Sequence, residues 1–219
     1  MSAKLVLTTP HLALFVARRN SGKSHLAKFL LYTLAKAQRF KWVLVICNTS
    51  FTGDWGAIIG EENVLPVFDG EQLENLMERQ AQLREDGVDN PGLIIMDDLI
   101  GAAHFASDVF TRLACAGRHY KITCWIACQH LFKLAPVLRT NSDYLFILGV
   151  QNERVLKDLW DTFGGLGFND VKALKEYALK ATENFGSMCV DNTAAGARGS
   201  PVRTVRAPAK LPQFRITQR

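Results

Sequence analysis

The stretch Leu12-Ala13-Leu14-Phe15-Val16-Ala17-Arg18-Arg19-Asn20-Ser21-Gly22-Lys23-Ser24 limits what this chain can fold into more than any other. An apolar run ends in a short polar loop, the loop ends in Gly-Lys-Ser, and apolar residues at helical spacing follow at once. The order is strand, loop, helix, with a small residue (Ala17), four residues of any type, then Gly-Lys and a hydroxyl residue. Backbone N–H groups in such a loop point inward and cradle a polyphosphate, and the following helix adds its partial positive charge. Lys23 is expected to reach the terminal phosphates, and the Ser24 hydroxyl to ligate Mg²⁺. Gly22 lets the backbone approach closely because it carries no Cβ. The candidate nucleotide-binding residues are therefore Ala17, Arg18, Arg19, Asn20, Ser21, Gly22, Lys23, Ser24 and His25. The commoner loop has Gly where this chain has Ala17, which bears on loop geometry more than on phosphate binding.

Strand and helix patterns alternate along the rest of the chain. Strands are expected at His11–Val16, Trp42–Cys47, Val64–Phe68, Leu93–Leu99, Ile122–Gln129 and Tyr144–Leu148. Their continuous apolar runs suit parallel strands covered on both faces. Helices are expected from Lys23 to about Ala37, after an Asp69 cap, after a Ser107 cap, from Glu153 to Phe163, and from Asp170 to Ala181 after an Asn169 cap. Asn48 to Gly60 is read as a loop whose aromatics, Phe51 and Trp55, pack on the domain, with adenine contact as the alternative. Phe185–Val190 and Ser200–Arg206 are expected to pair as a hairpin. The alternation implies an α/β fold with a mostly parallel central sheet and helices on both faces. No internal repeat or second core is visible, so one domain is expected over 1–219, with a core of about 5–190 and a basic end from about 191.

The chain is 48% hydrophobic and 21% charged, which suits one globular domain. A net charge of +5 fits a nucleic-acid partner without requiring one. No apolar run reaches about 18 residues, so no membrane span is expected, and the N-terminus is too quickly polar for a signal peptide. The five cysteines sit mostly inside apolar runs and read as reduced, buried residues of an intracellular protein.

Ligands of parallel sheets bind outside the carboxyl ends of the strands. The loop ending at Ser24, the acids Asp97 and Asp98, and Gln129 all fall at such ends. Asp97 is expected to hold Mg²⁺ through its water shell. Asp98 is expected to act as general base or to orient water near the γ-phosphate; its plainer role is a helix cap or a solvated acid. Gln129 is a candidate contact to the γ-phosphate or the attacking water, or an amide closing a strand-end turn. Arg118 and Arg139 are candidates to neutralise charge on the γ-phosphate. Arg118, at the start of its strand, suits a neighbouring subunit; Arg139 suits either. A surface salt bridge or a phosphate contact with nucleic acid is the alternative for each.

Together, Ala17 to Ser24, the strand ending Asp97-Asp98, the segment Gly117-Arg118-His119-Tyr120-Lys121-Ile122, Gln129 and Leu138-Arg139-Thr140-Asn141 resemble the FtsK/HerA superfamily of P-loop ATPases. Within it they look like the poxvirus-type genome-packaging ATPases of large double-stranded DNA viruses. The resemblance spans about Leu12 to Leu148. It implies a three-layer RecA-like P-loop NTPase fold that binds ATP and Mg²⁺, with Asp98 as the catalytic carboxylate, Gln129 as a sensor and an arginine reaching across subunits. It further implies a homo-oligomeric ring, pentamer or hexamer, that moves double-stranded DNA into a preformed shell in the host cytoplasm or viral factory. Capsid or portal-vertex proteins are the expected further partners. A cellular or plasmid translocase of the same superfamily and a slow nucleotide-gated switch are the alternatives. The basic end (Arg198, Arg203, Arg206, Lys210, Arg215, Arg219) suits DNA phosphates, an acidic capsid surface, or plain solvation.

Overall fold

Side-chain alternation along strand β1 (Leu12–Val16) sets the layering. Leu12, Leu14 and Val16 enter one apolar core, and Ala13 and Phe15 enter a second core on the opposite face. All five are buried, so the strand is central. The computed structural model describes residues 7–48, 55–67, 69–97, 107–131, 134–150, 153–193 and 200–218.

Seven further strands complete the sheet: β2 (Trp42–Cys47), β3 (Val64–Leu65), β4 (Gly92–Asp97), β5 (Ile122–Cys128), β6 (Tyr144–Leu148), β7 (Ser187–Asp191) and β8 (Val202–Val205). Their order is β3-β2-β4-β5-β1-β6-β7-β8. The first six strands in sequence pair in parallel, and β7 pairs antiparallel with both β6 and β8. The expected parallel sheet and terminal hairpin are both present.

The helices divide unequally between the faces. Helices α3 (Gly70–Glu85), α4 (Asp108–Ala116), α5 (Pro136–Thr140), α6 (Glu153–Phe163) and α7 (Val171–Ala181) send Leu73, Met77, Phe110, Leu113, Leu138, Leu156, Leu159, Leu174 and Ala178 into the first core. Helix α1 (Lys23–Lys36) and the short α2 (Trp55–Ile59) cover the second. Local chemistry sets the helix starts. Asp69 Oδ1 accepts from the Glu71 and Gln72 N–H groups, and Ser107 Oγ accepts from Phe110 N–H. The cap of α7 is Asp170, not Asn169: its Oδ1 accepts from Ala173 N–H at 2.7 Å. Either side chain could cap, and only Asp170 lies three residues before that N–H. The expected loop at 48–60 is also corrected, because Trp55–Ile59 is helical and buries Trp55, Ile58 and Ile59. Phe51 and Phe68 lie outside the described residues.

The basic end is no solvated tail. After β8, Ala207, Phe214 and Ile216 pack on the second core. Ile216 N–H donates to Ile58 O at 2.8 Å, and Gln218 Nε2 donates to Val43 O at 2.7 Å. From β8 to β2 is six strand spacings, about 29 Å, which thirteen extended residues can span. This strap supplies on the α1 face the cover that additional helices give the other. Arg203 is ion-paired with Asp191, while Lys210 and Arg215 face outward. Arg198 and Arg219 lie outside the described residues.

Below the sheet's amino edge, His11 is buried; its Nε2 accepts from Trp125 Nε1–H at 2.8 Å. Because that indole can only donate, Nδ1 carries the proton and faces Thr8 O. Burial lowers the His11 pKa from 6.5 to about 4. The unfolded chain therefore takes up this proton below about pH 6.5 and the folded protein only near pH 4. Stability present above the upper value should fall by up to about 3 kcal/mol as pH drops through this window. Urea unfolding at several pH values should show that loss, and His11→Phe should flatten it; equal slopes in the two proteins would contradict this account.

Candidate functional site

The strand register brings three separate stretches to one rim. Val16 pairs with Cys128 and Phe15 with Ala127, while Met96 pairs with Ile126. One residue on, Asp97 is level with Ala127 and hence with Phe15, two strand spacings or about 10 Å away. The β1–β5 pairing runs on into the loop, where Ala17 N–H donates to Cys128 O at 3.1 Å. The loop, Asp97 and Gln129, the residue after β5, thus share the carboxyl rim of the sheet.

The loop leaves β1 with Ala17 buried and Arg18, Arg19 and Asn20 exposed. Asn20 and Gly22 take positive φ, 58° and 88°, which turns the backbone sharply into α1. Lys23 is only 8% exposed, and its Nζ donates to Ala17 O at 3.0 Å and Arg18 O at 3.3 Å. The ammonium is thereby held over the concave side of the loop. Ser24 and His25 open the first turn of α1 and are half-buried; His25 Nε2 lies 2.7 Å from Pro208 O of the strap. Gly149, after β6, closes on the loop from the other side: a Cβ there would lie 3.2 Å from Ser21 Oγ.

Asp97 is 4% exposed. Its Oδ2 accepts from Trp55 Nε1–H at 3.0 Å, and its Oδ1 is buried with no hydrogen-bond partner among the described residues. Buried carboxylate oxygens need donors, so an oxygen left open on the loop side of the sheet suits the water shell of a cation. Lys28 Nζ, one turn along α1 from Ser24, sits 5.1 Å from the centre of the Trp55 ring. Trp55 thus packs on the protein and also orients the acid. Its aromatic character pointed to packing; no local sequence signal ties it to Asp97, because the link depends on α2 folding. Burial pushes the neighbouring Cys128 thiol up to about 12, with Lys23 pulling the other way. That thiol stays protonated near neutral pH and offers no nucleophile.

The arginines lie elsewhere. Arg118 sits in the 3-10 turn before β5, at the amino edge, and pairs with Asp143 at 3.0 Å. Arg139 lies in α5; its carbonyl accepts from Ser142 Oγ, and the next residue, Asp143, donates its N–H to Leu12 O at the amino end of β1. Neither arginine is brought together with the loop of its own chain. Asp98 lies outside the described residues.

Trp55→Phe removes the donor and leaves Asp97 with two unsatisfied buried oxygens, and its smaller ring opens space in the second core. Urea unfolding should show a loss of about 1–3 kcal/mol. A change below about 0.5 kcal/mol would mean that Asp97 does not depend on the indole.

No family model matches the chain. Its sequence relatives include an uncharacterised protein of Acanthamoeba polyphaga mimivirus, 31% identical over 121 residues, or 53% of this chain and 42% of that one. Another, from Invertebrate iridescent virus 6, is 25% identical over 182 residues, 82% of this chain and 69% of that one. The chain thus spans less than half of the mimivirus relative. Among solved structures, the genome packaging NTPase B204 from Sulfolobus turreted icosahedral virus 2, in complex with ATP-gammaS, superposes with a TM-score of 0.60 at 15% identity, covering 91% of this chain and 98% of that one. The pCW3 conjugation coupling protein TcpA superposes with a TM-score of 0.57 at 14% identity, covering 90% and 59%. The chain therefore has the P-loop NTPase fold of a viral genome-packaging NTPase, and its sequence relatives are proteins of large DNA viruses.

Proposed function

We propose that this chain is an ATP-hydrolysing motor of the FtsK/HerA type that moves double-stranded DNA into a viral capsid. The observation that carries the reading is the shared rim: a loop ending Gly-Lys-Ser, a buried acid with one open oxygen, and the end of the strand between them. Phosphoryl transfer to water needs little covalent chemistry from the protein, only positioning and charge stabilisation. Ala17 opens the turn with its own N–H held by Cys128 O, the N–H groups of the following residues through Gly22 wrap the phosphates, and Lys23 exchanges its loop carbonyls for phosphate oxygens. Ser24 Oγ and the open Oδ1 of Asp97 would hold the hydrated Mg²⁺, which would supply charge neutralisation to the phosphates. Asp98 orients or deprotonates the attacking water, and Gln129 senses the γ-phosphate.

The arginines support an assembly. Both lie far from their own loop, so either serves only a neighbouring copy, as in a pentameric or hexameric ring. Lys210 and Arg215 are outward-facing charges available to DNA phosphates or to a capsid or portal-vertex surface. The whole chain acts as one ATPase domain in the host cytoplasm or viral factory. The viral relatives favour packaging over conjugative transfer.

ATP turnover on protein of measured oligomeric state should rise when duplex DNA is added, with the stimulation fading as salt rises. Lys23→Ala and Asp98→Asn should each lower turnover by at least about 100-fold. Turnover indifferent to duplex DNA at all salt concentrations would overturn the motor reading. ATP binding with very slow single turnover in the assembled state would favour a switch.

A further inference from the structure

Phe185 is the most exposed large apolar side chain among the described residues, at 72%. It also stands beside the phosphate loop: a Cβ on Gly22 would lie 3.5 Å from Phe185 Cδ1. An aromatic ring left in water next to a phosphate-binding loop is a costly arrangement unless something covers it.

The backbone adds to that cost. Asn184 and Phe185 both take positive φ, 50° and 59°. Left-handed backbone at successive residues with side chains is strained and persists only where the surroundings hold it. Here they do. Glu183 O accepts both from Gly186 N–H and from Arg206 Nη2, each at 2.9 Å, so the strap clamps the turn. Gly186 is wedged as well, since a Cβ there would lie 2.2 Å from Ala181 O. The turn thus fixes the backbone that carries the ring beside the loop.

That position suits one ligand. Ser187, two residues on, pairs with Leu148 at the carboxyl end of β6, so Phe185 stands on the same rim as the loop. It lies on the β6–β7 side, whereas Asp97 and Gln129 lie on the β4–β5 side. A nucleotide whose terminal phosphates point to the acids extends its base the other way, across Gly22 toward the ring.

We propose that Phe185 is the base platform of the nucleotide site, its ring stacking on the purine. This rests on the phosphate-site reading given above. Stacking on a phenyl ring is tolerant of base identity, so the platform raises affinity for nucleotides in general and does not select adenine over guanine.

The test compares ligands with and without a base. Calorimetric titration of the full chain should be run with inorganic tripolyphosphate and with nonhydrolysable ATP and GTP analogues. Phe185→Ala should weaken both analogues by about 5- to 100-fold and leave tripolyphosphate affinity within about twofold. Phe185→Trp should restore nucleotide affinity. Because the side chain is exposed, thermal unfolding of the variants should match the parent, which separates lost stacking from lost folding. Nucleotide affinity unchanged in Phe185→Ala would overturn the platform alone, and so would an equal loss for tripolyphosphate. A change in oligomeric state without a change in affinity would reassign the ring to a subunit contact. Binding of neither ligand type by the parent chain, or tripolyphosphate affinity unaffected by Lys23→Ala, would remove the phosphate site and the platform with it.

Discussion

The hydrogen bond from Ala17 N–H to Cys128 O fixes the geometry on which the rest depends. It carries the β1–β5 ladder one residue past the end of β1. The loop therefore leaves the sheet at a set height, level with the end of β5, and β5 in register with β4 puts Asp97 at the same height. A one-residue slip would send every side chain of a strand to the opposite face, and here each face carries its own packed core. The two-faced cores of β1 and β5 thus maintain the alignment of the loop with the acid. The loop and the acid are positioned by the packing of the strands that carry them.

The α1 face shows how coverage and site are coupled. With only α1 and α2 against it, the second core would be open along much of its length. The strap closes it with Ala207, Phe214 and Ile216. On its way it contacts the site twice, at His25 through Pro208 O and at the 183–186 turn through Arg206. Helix α2 does the same on the other side, burying Trp55 while its indole holds Asp97. Segments that complete the core also orient residues around the loop, so stability and site geometry are linked.

Much of the fold was legible because it rests on local signals. Continuous apolar runs marked the central strands, and Asp69 and Ser107 announced their helices through side chains that accept from N–H groups two or three residues on. The candidate site was drawn from residue types at strand ends, and the parallel ladder sets Ala17, Asp97 and Gln129 at a common level. What escaped the sequence depends on long-range contact. Trp55–Ile59 is too short and too close to a glycine to show a helical period, and its helix exists because the core receives Trp55, Ile58 and Ile59. The strap has Pro, Ala and basic residues typical of a solvated end, and its few apolar anchors, Phe214 and Ile216, follow no periodicity. Phe185 was read as a strand residue; its left-handed backbone is imposed by the wedge at Gly186 and by Arg206.

Crystallographic analysis of the protein with a nonhydrolysable ATP analogue and Mg²⁺ bears most directly on the shared rim. Density for the triphosphate should lie within the turn from Ala17 to Ser24, with the metal between Ser24 Oγ and the open oxygen of Asp97. A nucleotide bound elsewhere, or a triphosphate in the loop with its metal remote from Asp97, would contradict the account.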